Sequence, residues 1–136
     1  MWRSTIGLIA VLATVSNVSA GAAEYFAEKD KDFGPSPIGP VLTHYFSIKN
    51  TTTGTVKMGT PRIGCGCVSA SLLKPELAAG ESTYLVAYMD TKKIPLQQRN
   101  TTKTVTVSVP FFTPVPEEIV LRVTTIGRED LFLMLK

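Results

Sequence analysis

The sequence predicts an all-β antiparallel sandwich of about seven strands. Several short stretches alternate apolar and polar residues with period two. Gly, Pro, Asn and Asp cluster between them. No stretch repeats its apolar residues at the helical period, so nothing competes with the strand reading.

The N-terminus is set apart from that pattern. Arg3 precedes an almost continuous apolar run over residues 6–15, followed by Ser16, Asn17 and Val18-Ser19-Ala20. A basic start, a short apolar run and small residues at the end describe a secretory signal peptide. The run is too short for the roughly 20 residues that span a bilayer. Cleavage is expected after Ala20, with Ala22 or Ala23 as alternatives. Residues 1–20 are then a cleaved signal peptide, residues 21–32 a flexible segment rich in charge, and residues 33–136 one domain. Export to the periplasm or the extracellular space follows. The remaining chain, about 116 residues, buries about two thirds of its unfolded surface and needs no disulfide to build a core. Its expected form is soluble, with no stable membrane insertion after cleavage.

Charge excludes one class of partner. The chain holds 14 Lys+Arg against 11 Asp+Glu, and losing Arg3 leaves 13 against 11. The basic residues are scattered, and no basic stripe alternates with aromatics, which argues against nucleic-acid binding.

The elements follow in order. Phe33 is the first expected anchor. Pro35, Pro37 and Pro40 crowd a turn-rich stretch that cannot be a central strand. Residues 41–49 alternate, with Leu42, His44, Phe46 and Ile48 on the inner face. Residues 50–54 form a polar turn. Residues 56–63 read as a weaker strand that Gly59 and Pro61 place at an edge or bend. Residues 71–77 fit a short strand or a helical turn. Residues 82–89 are a strand with two plausible inner faces, Tyr84/Val86/Tyr88 or Leu85/Ala87/Met89. Residues 90–100 are a polar loop. Residues 102–109 point Val105, Val107 and Val109 one way. Residues 110–116 are a turn-rich connection. Residues 117–125 point Ile119, Leu121 and Val123 inward. An apolar run over residues 131–135 closes the chain.

Chemistry concentrates in Cys65-Gly66-Cys67, which holds the only two cysteines. One intervening residue rules out a staple between distant elements. Three states remain open: a local disulfide, two free thiols, or a soft-metal site. For a loop of about three residues, chain entropy predicts about 1.6 kcal/mol of stabilisation. Ring strain of several kcal/mol offsets it, so closing the ring is a poor way to stabilise a fold. A reactive thiol needs a lowered pKa, for which Arg62 is the nearest cation. Two thiolates can hold Cu(I), whereas tetrahedral zinc needs two more donors. His44 is the single histidine and reads as a rim residue of an apolar face. Met58 and Met89 read as core. Gly66 is expected to relieve backbone strain. No catalytic residues and no cofactor are expected, because no base, nucleophile and orienting group fall together. Asn50-Thr51-Thr52 and Asn100-Thr101-Thr102 match the N-glycosylation pattern.

The order of motifs resembles the DUF1573 domains of exported bacterial proteins. The resemblance rests on Asp32-Phe33-Gly34, His44-x-Phe46-x-Ile48-Lys49-Asn50-Thr51, Cys65-Gly66-Cys67, Ala79-Gly80-Glu81-Ser82, Asp90-Thr91-Lys92 and Lys103-Thr104-Val105-Thr106-Val107. It spans residues 31–127. Lys93-Ile94-Pro95 and the 131–135 tail depart from the family pattern. The resemblance implies an immunoglobulin-like fold related to the ASH/major-sperm-protein-like group. It also favours Leu85, Ala87 and Met89 as the inner face. The expected function is a non-enzymatic exported module that binds a protein or a cell-envelope component. The alternative is a thiol-redox or Cu(I)-handling protein built on Cys65 and Cys67.

Overall fold

The computed structural model describes residues 21–134. The signal-peptide reading over residues 1–20 lies outside them, as does Leu135. Among the described residues the chain forms β1 (Asp30–Pro37), β2 (Val41–Lys49), β3 (Val56–Met58), β4 (Arg62–Ile63), β5 (Val68–Leu72), β6 (Glu76–Leu77), β7 (Ser82–Asp90), β8 (Thr102–Thr113) and β9 (Glu117–Arg128). The short helix α1 (Glu129–Met134) follows. One sheet runs β1-β9-β8-β3-β6, with β4 also paired to β8; the other runs β2-β7-β5. The expected immunoglobulin-like sandwich is borne out. Its strands number nine because residues 56–63 split around Gly59 and Pro61, residues 68–77 form two short strands, and residues 30–37, read as a flexible and turn-rich stretch, form the edge strand β1. All pairings are antiparallel except β1, which lies parallel to β9.

The inner faces meet in one core. Phe46, Ile48, Leu85 and Met89 come from the three-stranded sheet. Val105, Val107, Val109, Phe111, Leu121 and Val123 oppose them. Thus the face expected for β2 is the inner one, and β7 turns Leu85, Ala87 and Met89 inward. Met58 and Met89 are buried, as the sequence suggests.

Within residues 21–32, read from the sequence as a flexible segment, residues 22–27 pack and bond against the sandwich. Residues 22–25 make one 3₁₀ turn, and the Ala22 N–H donates to a Glu117 carboxylate oxygen at 2.9 Å. Tyr25 and Phe26 are buried against Phe111, with ring centroids 5.7 and 6.0 Å away. Phe26 also bridges to Ile48, and β1 begins at Asp30. Two aromatic side chains outweigh the local charge, because Glu24, Glu28, Lys29 and Asp30 leave the core to Tyr25 and Phe26 and keep their own groups at the surface or half-buried. The first anchors are therefore Tyr25 and Phe26 rather than Phe33.

β8 also continues past the expected turn at Pro110. The Gly59 N–H donates to the Pro110 carbonyl, so Pro110 turns its backbone toward β3 and β4. Its missing N–H falls at the break between those two strands, where no ladder bond is lost. The reversal comes instead at residues 114–116. The start of the final apolar run joins α1.

The motif residues mostly close loops. Gly34 takes a φ of 70°, and its N–H donates to Asp32 Oδ1 where β1 shifts register. Asn50 is fully buried and gathers three segments: its Nδ2 donates to the Gly54 and Leu77 carbonyls, and its Oδ1 accepts from Thr52. Nδ2 is the atom a glycan would need, so the Asn50 pattern is not an available acceptor. Ala79-Gly80-Glu81 forms a turn closed by a bond from the Glu81 N–H to the Ala78 carbonyl, with Gly80 at a φ of 80°. Asp90 caps the 3₁₀ turn at Thr91–Lys93, and buried Thr91 donates to the Pro40 carbonyl. Asn50→Ala removes the side-chain partner of the Leu77 carbonyl and of the Thr52 N–H and leaves the Gly54 carbonyl only the longer bond from Thr52 Oγ1. It is expected to cost about 2–4 kcal/mol in urea denaturation, and a loss below about 1 kcal/mol would contradict this account of the loops.

Candidate functional site

The Cys pair occupies the connection that leaves one sheet and enters the other. β4 pairs with β8, β5 pairs with β7, and residues 64–67 link them. The Gly64 N–H donates to the Thr106 carbonyl, and the Val68 N–H donates to the Cys65 carbonyl at 3.3 Å, closing a turn. The Cys67 carbonyl then accepts from the Asp90 N–H, which starts the β5–β7 ladder. Gly66 is not in the left-handed region, and a side chain there would meet open space. The expected strain relief is therefore not its role.

Both thiols are free. Their Sγ atoms lie 2.9 Å apart, and the Cys67 N–H reaches Cys65 Sγ at 3.5 Å. The two differ sharply in setting. Cys65 is half-buried at the core margin, whereas Cys67 is 3% exposed. The hydrogen bond from Cys67 lowers the Cys65 pKa, with further lowering from the Lys103 ammonium against an opposing effect of burial. Burial, and then the neighbouring Cys65, push Cys67 up to about 11.

Lys103 is the residue that the sequence reading missed. It stands on β8 at the parity of Val105, Val107 and Val109, the inner face, at the end of the sandwich. It also hydrogen-bonds Gln98. A lysine sharing the parity of three valines was the available signal. Arg62 does not serve the thiols; it pairs with Glu118 and is largely exposed. His44 pairs with Glu28 and packs edge-on to Phe46 at 4.8 Å. Among the described residues no group of three His, Cys, Asp or Glu side chains could hold a metal ion.

A second feature is the sheet edge that begins at this turn. β1 is an edge guarded by Gly34, Pro35 and Pro37. β6 has two residues. The edge of β2 is covered by Phe26 and Ala27, whose N–H donates to the Ser47 carbonyl. β5 reads Val68-Ser69-Ala70-Ser71-Leu72, five residues without proline or charge. Bonds at Cys67/Asp90 and Leu73/Tyr84 set its phase. Odd-numbered residues bond β7, so the backbone groups of Ala70 and Leu72 point to the free side. A groove of about 330 Å³ runs along that side, lined by Met58, Pro61, Leu72 and Pro75 among others. On the outer face beside it, Tyr45 and Tyr84 stack edge-on at 5.8 Å, and Val41 and Tyr88 are also exposed.

These features define an immunoglobulin-like β-sandwich. The family model described as a protein of unknown function, DUF1573, matches residues 25–124, and the chain belongs to that family. The match begins at Tyr25, the first packed aromatic. No curated protein matches the sequence. Among solved structures, a protein of unknown function from Porphyromonas gingivalis W83 is 17% identical with a TM-score of 0.65, over 83% of this chain and 52% of that one. The chain thus spans about half the length of that structure. The ASH/PapD-like domain 7 of human CEP192 aligns at 9% identity and TM-score 0.58, over 87% and 95% of the two chains. The Acinetobacter baumannii CsuC–CsuE chaperone–tip adhesion subunit complex aligns at 9% and 0.53, over 75% and 55%. At these identities the likeness is one of fold. Among the described residues no helix is long and apolar enough to cross a membrane.

Proposed function

We propose that this chain is an exported, non-enzymatic binding module that takes an extended segment of a protein partner along the free edge of β5. The carrying observation is the contrast among the sheet edges. The sides of β1, β2, β4 and β6 are bent, short or covered, while β5 is neutral, proline-free and unpaired on one side among the described residues. Natural sheets guard such edges because an unpaired row of N–H and C=O groups recruits another strand. The adjoining groove suits apolar side chains at alternate positions of the incoming segment. Its other positions would lie beside Ser69, Ser71 and Tyr88 on the outer face. The chaperone–subunit complex among the fold neighbours is a protein-binding use of a similar sandwich.

Selection from a random peptide library should return alternating apolar sequences that bind the wild type and lose at least tenfold in affinity, about 1.4 kcal/mol, for Ala70→Pro. Peptides that bind both forms equally would place the site elsewhere. Export through residues 1–20 is part of the same reading. N-terminal sequencing of the exported chain should begin at Gly21, and a chain retained with Met1 in place would contradict it.

A further inference from the structure

Asp32-Phe33-Gly34, Asn50, Ala79-Gly80-Glu81 and Asp90-Thr91-Lys92 each close a loop or a bulge. Cys65 closes its turn with a backbone carbonyl, which any residue supplies. Its sulfur takes only a long 3.5 Å bond from the Cys67 N–H, yet it lies against a second sulfur and beside a lysine placed on an otherwise apolar strand face. We propose that residues 64–67 form a thiol–disulfide exchange site: Cys65 attacks an accessible disulfide, Cys67 resolves the mixed disulfide, and Lys103 is the positioning cation beside the attacking sulfur.

The three parts match what such a site needs. The attacking sulfur must be reachable and ionised near neutral pH, and Cys65 is the more exposed and more acidic of the two. The resolving thiol must be shielded from the first encounter but close to the bond it will break. Cys67 is buried and 2.9 Å away. Proximity of this kind makes the second step effectively unimolecular. In the first step the Cys65 thiolate forms a bond to one sulfur of R–S–S–R′. The S–S bond breaks, and R′S⁻ leaves with the electron pair and takes a proton from water. In the second step Cys67 gives its proton to water and attacks the Cys65 sulfur, and RS⁻ leaves. The substrate disulfide is reduced to two thiols, and Cys65 and Cys67 are oxidised to one disulfide. This chemistry consumes one dithiol per disulfide without turnover and does not require the β5 edge to hold a strand, so it leaves the binding module non-enzymatic and either proposal can fail alone.

The reduced wild-type chain, treated with glutathione disulfide and followed by intact-mass spectrometry, should end as the internal disulfide. Cys67→Ser keeps a hydroxyl donor beside Cys65 and should stop as a Cys65–glutathione adduct. Cys65→Ser should react at least about tenfold more slowly than Cys67→Ser. Burial, the larger cause of the raised Cys67 pKa, persists when Cys65 is replaced, and it keeps that thiol both less ionised and less accessible. Lys103→Gln should move the pH midpoint of Cys65 alkylation upward, and Lys103→Arg should restore it. Limiting iodoacetamide on the wild type, read by peptide mapping, needs no variant and should label Cys65 first. Labelling of Cys67 first, equal rates for the two single variants, or a pH midpoint indifferent to Lys103→Gln would overturn the assignment.

Discussion

Phe111→Ala is expected to destabilise the protein by about 3–5 kcal/mol, the range for removing a buried phenylalanine. Phe111 is fully enclosed and receives both Tyr25 and Phe26. The alanine would leave a cavity in the larger sheet and remove the surface on which residues 22–26 rest. Against the 5–15 kcal/mol typical of whole domains, the loss is large. Urea denaturation measures it, and hydrogen exchange adds a local readout. The Ala27 amide, which donates to the Ser47 carbonyl, should lose protection as the N-terminal segment lifts. Phe112 is the internal control, because it is mostly exposed. Phe112→Ala should stay within about 0.5 kcal/mol, as surface changes usually do. Equal effects at 111 and 112 would mean that Phe111 does not anchor the N-terminus.

Ser71→Pro and Ala70→Pro should part company although they are neighbours on one strand. Ser71 belongs to the set that bonds β7, opposite buried Val86. Proline there removes a ladder donor and leaves the Val86 carbonyl short of a partner, for about 2–4 kcal/mol of lost stability. The Ala70 N–H faces the free edge, where proline is tolerated. Ala70→Pro should therefore stay within about 1 kcal/mol of the wild type in denaturation and lose strand-pairing partners. If Ala70→Pro unfolds the protein as Ser71→Pro does, the edge is not free.

The sequence carried the fold through its alternation. Phe46 and Ile48 on β2, Val105 to Val109 on β8 and Ile119 to Val123 on β9 all face inward as their period implies. Pattern fails where it has nothing to repeat. Tyr25 and Phe26 sit among charges, and their burial depends on Phe111 far along the chain. Pro110 reads as a breaker, and only the gap between β3 and β4 lets β8 continue through it. At the site, Cys65 and Cys67 were visible as residues but not as unequal partners, since the difference comes from the crossover that buries one and leaves the other at the margin. Lys103 carried a parity signal on β8, but only tertiary pairing brings it to the thiols, while adjacency in sequence pointed to Arg62. The free side of β5 became legible only once every edge had a neighbour or lacked one.

The binding proposal meets its most direct test at two backbone amides. Hydrogen exchange of Ala70 and Leu72, followed by NMR on the full folded chain with and without a selected alternating peptide, reports the edge itself. Exchange at both amides should be fast in the free protein while Ser69 and Ser71 are protected by β7, and the peptide should slow Ala70 and Leu72. Amides already protected without peptide, or unchanged at saturating peptide, would contradict strand addition at β5.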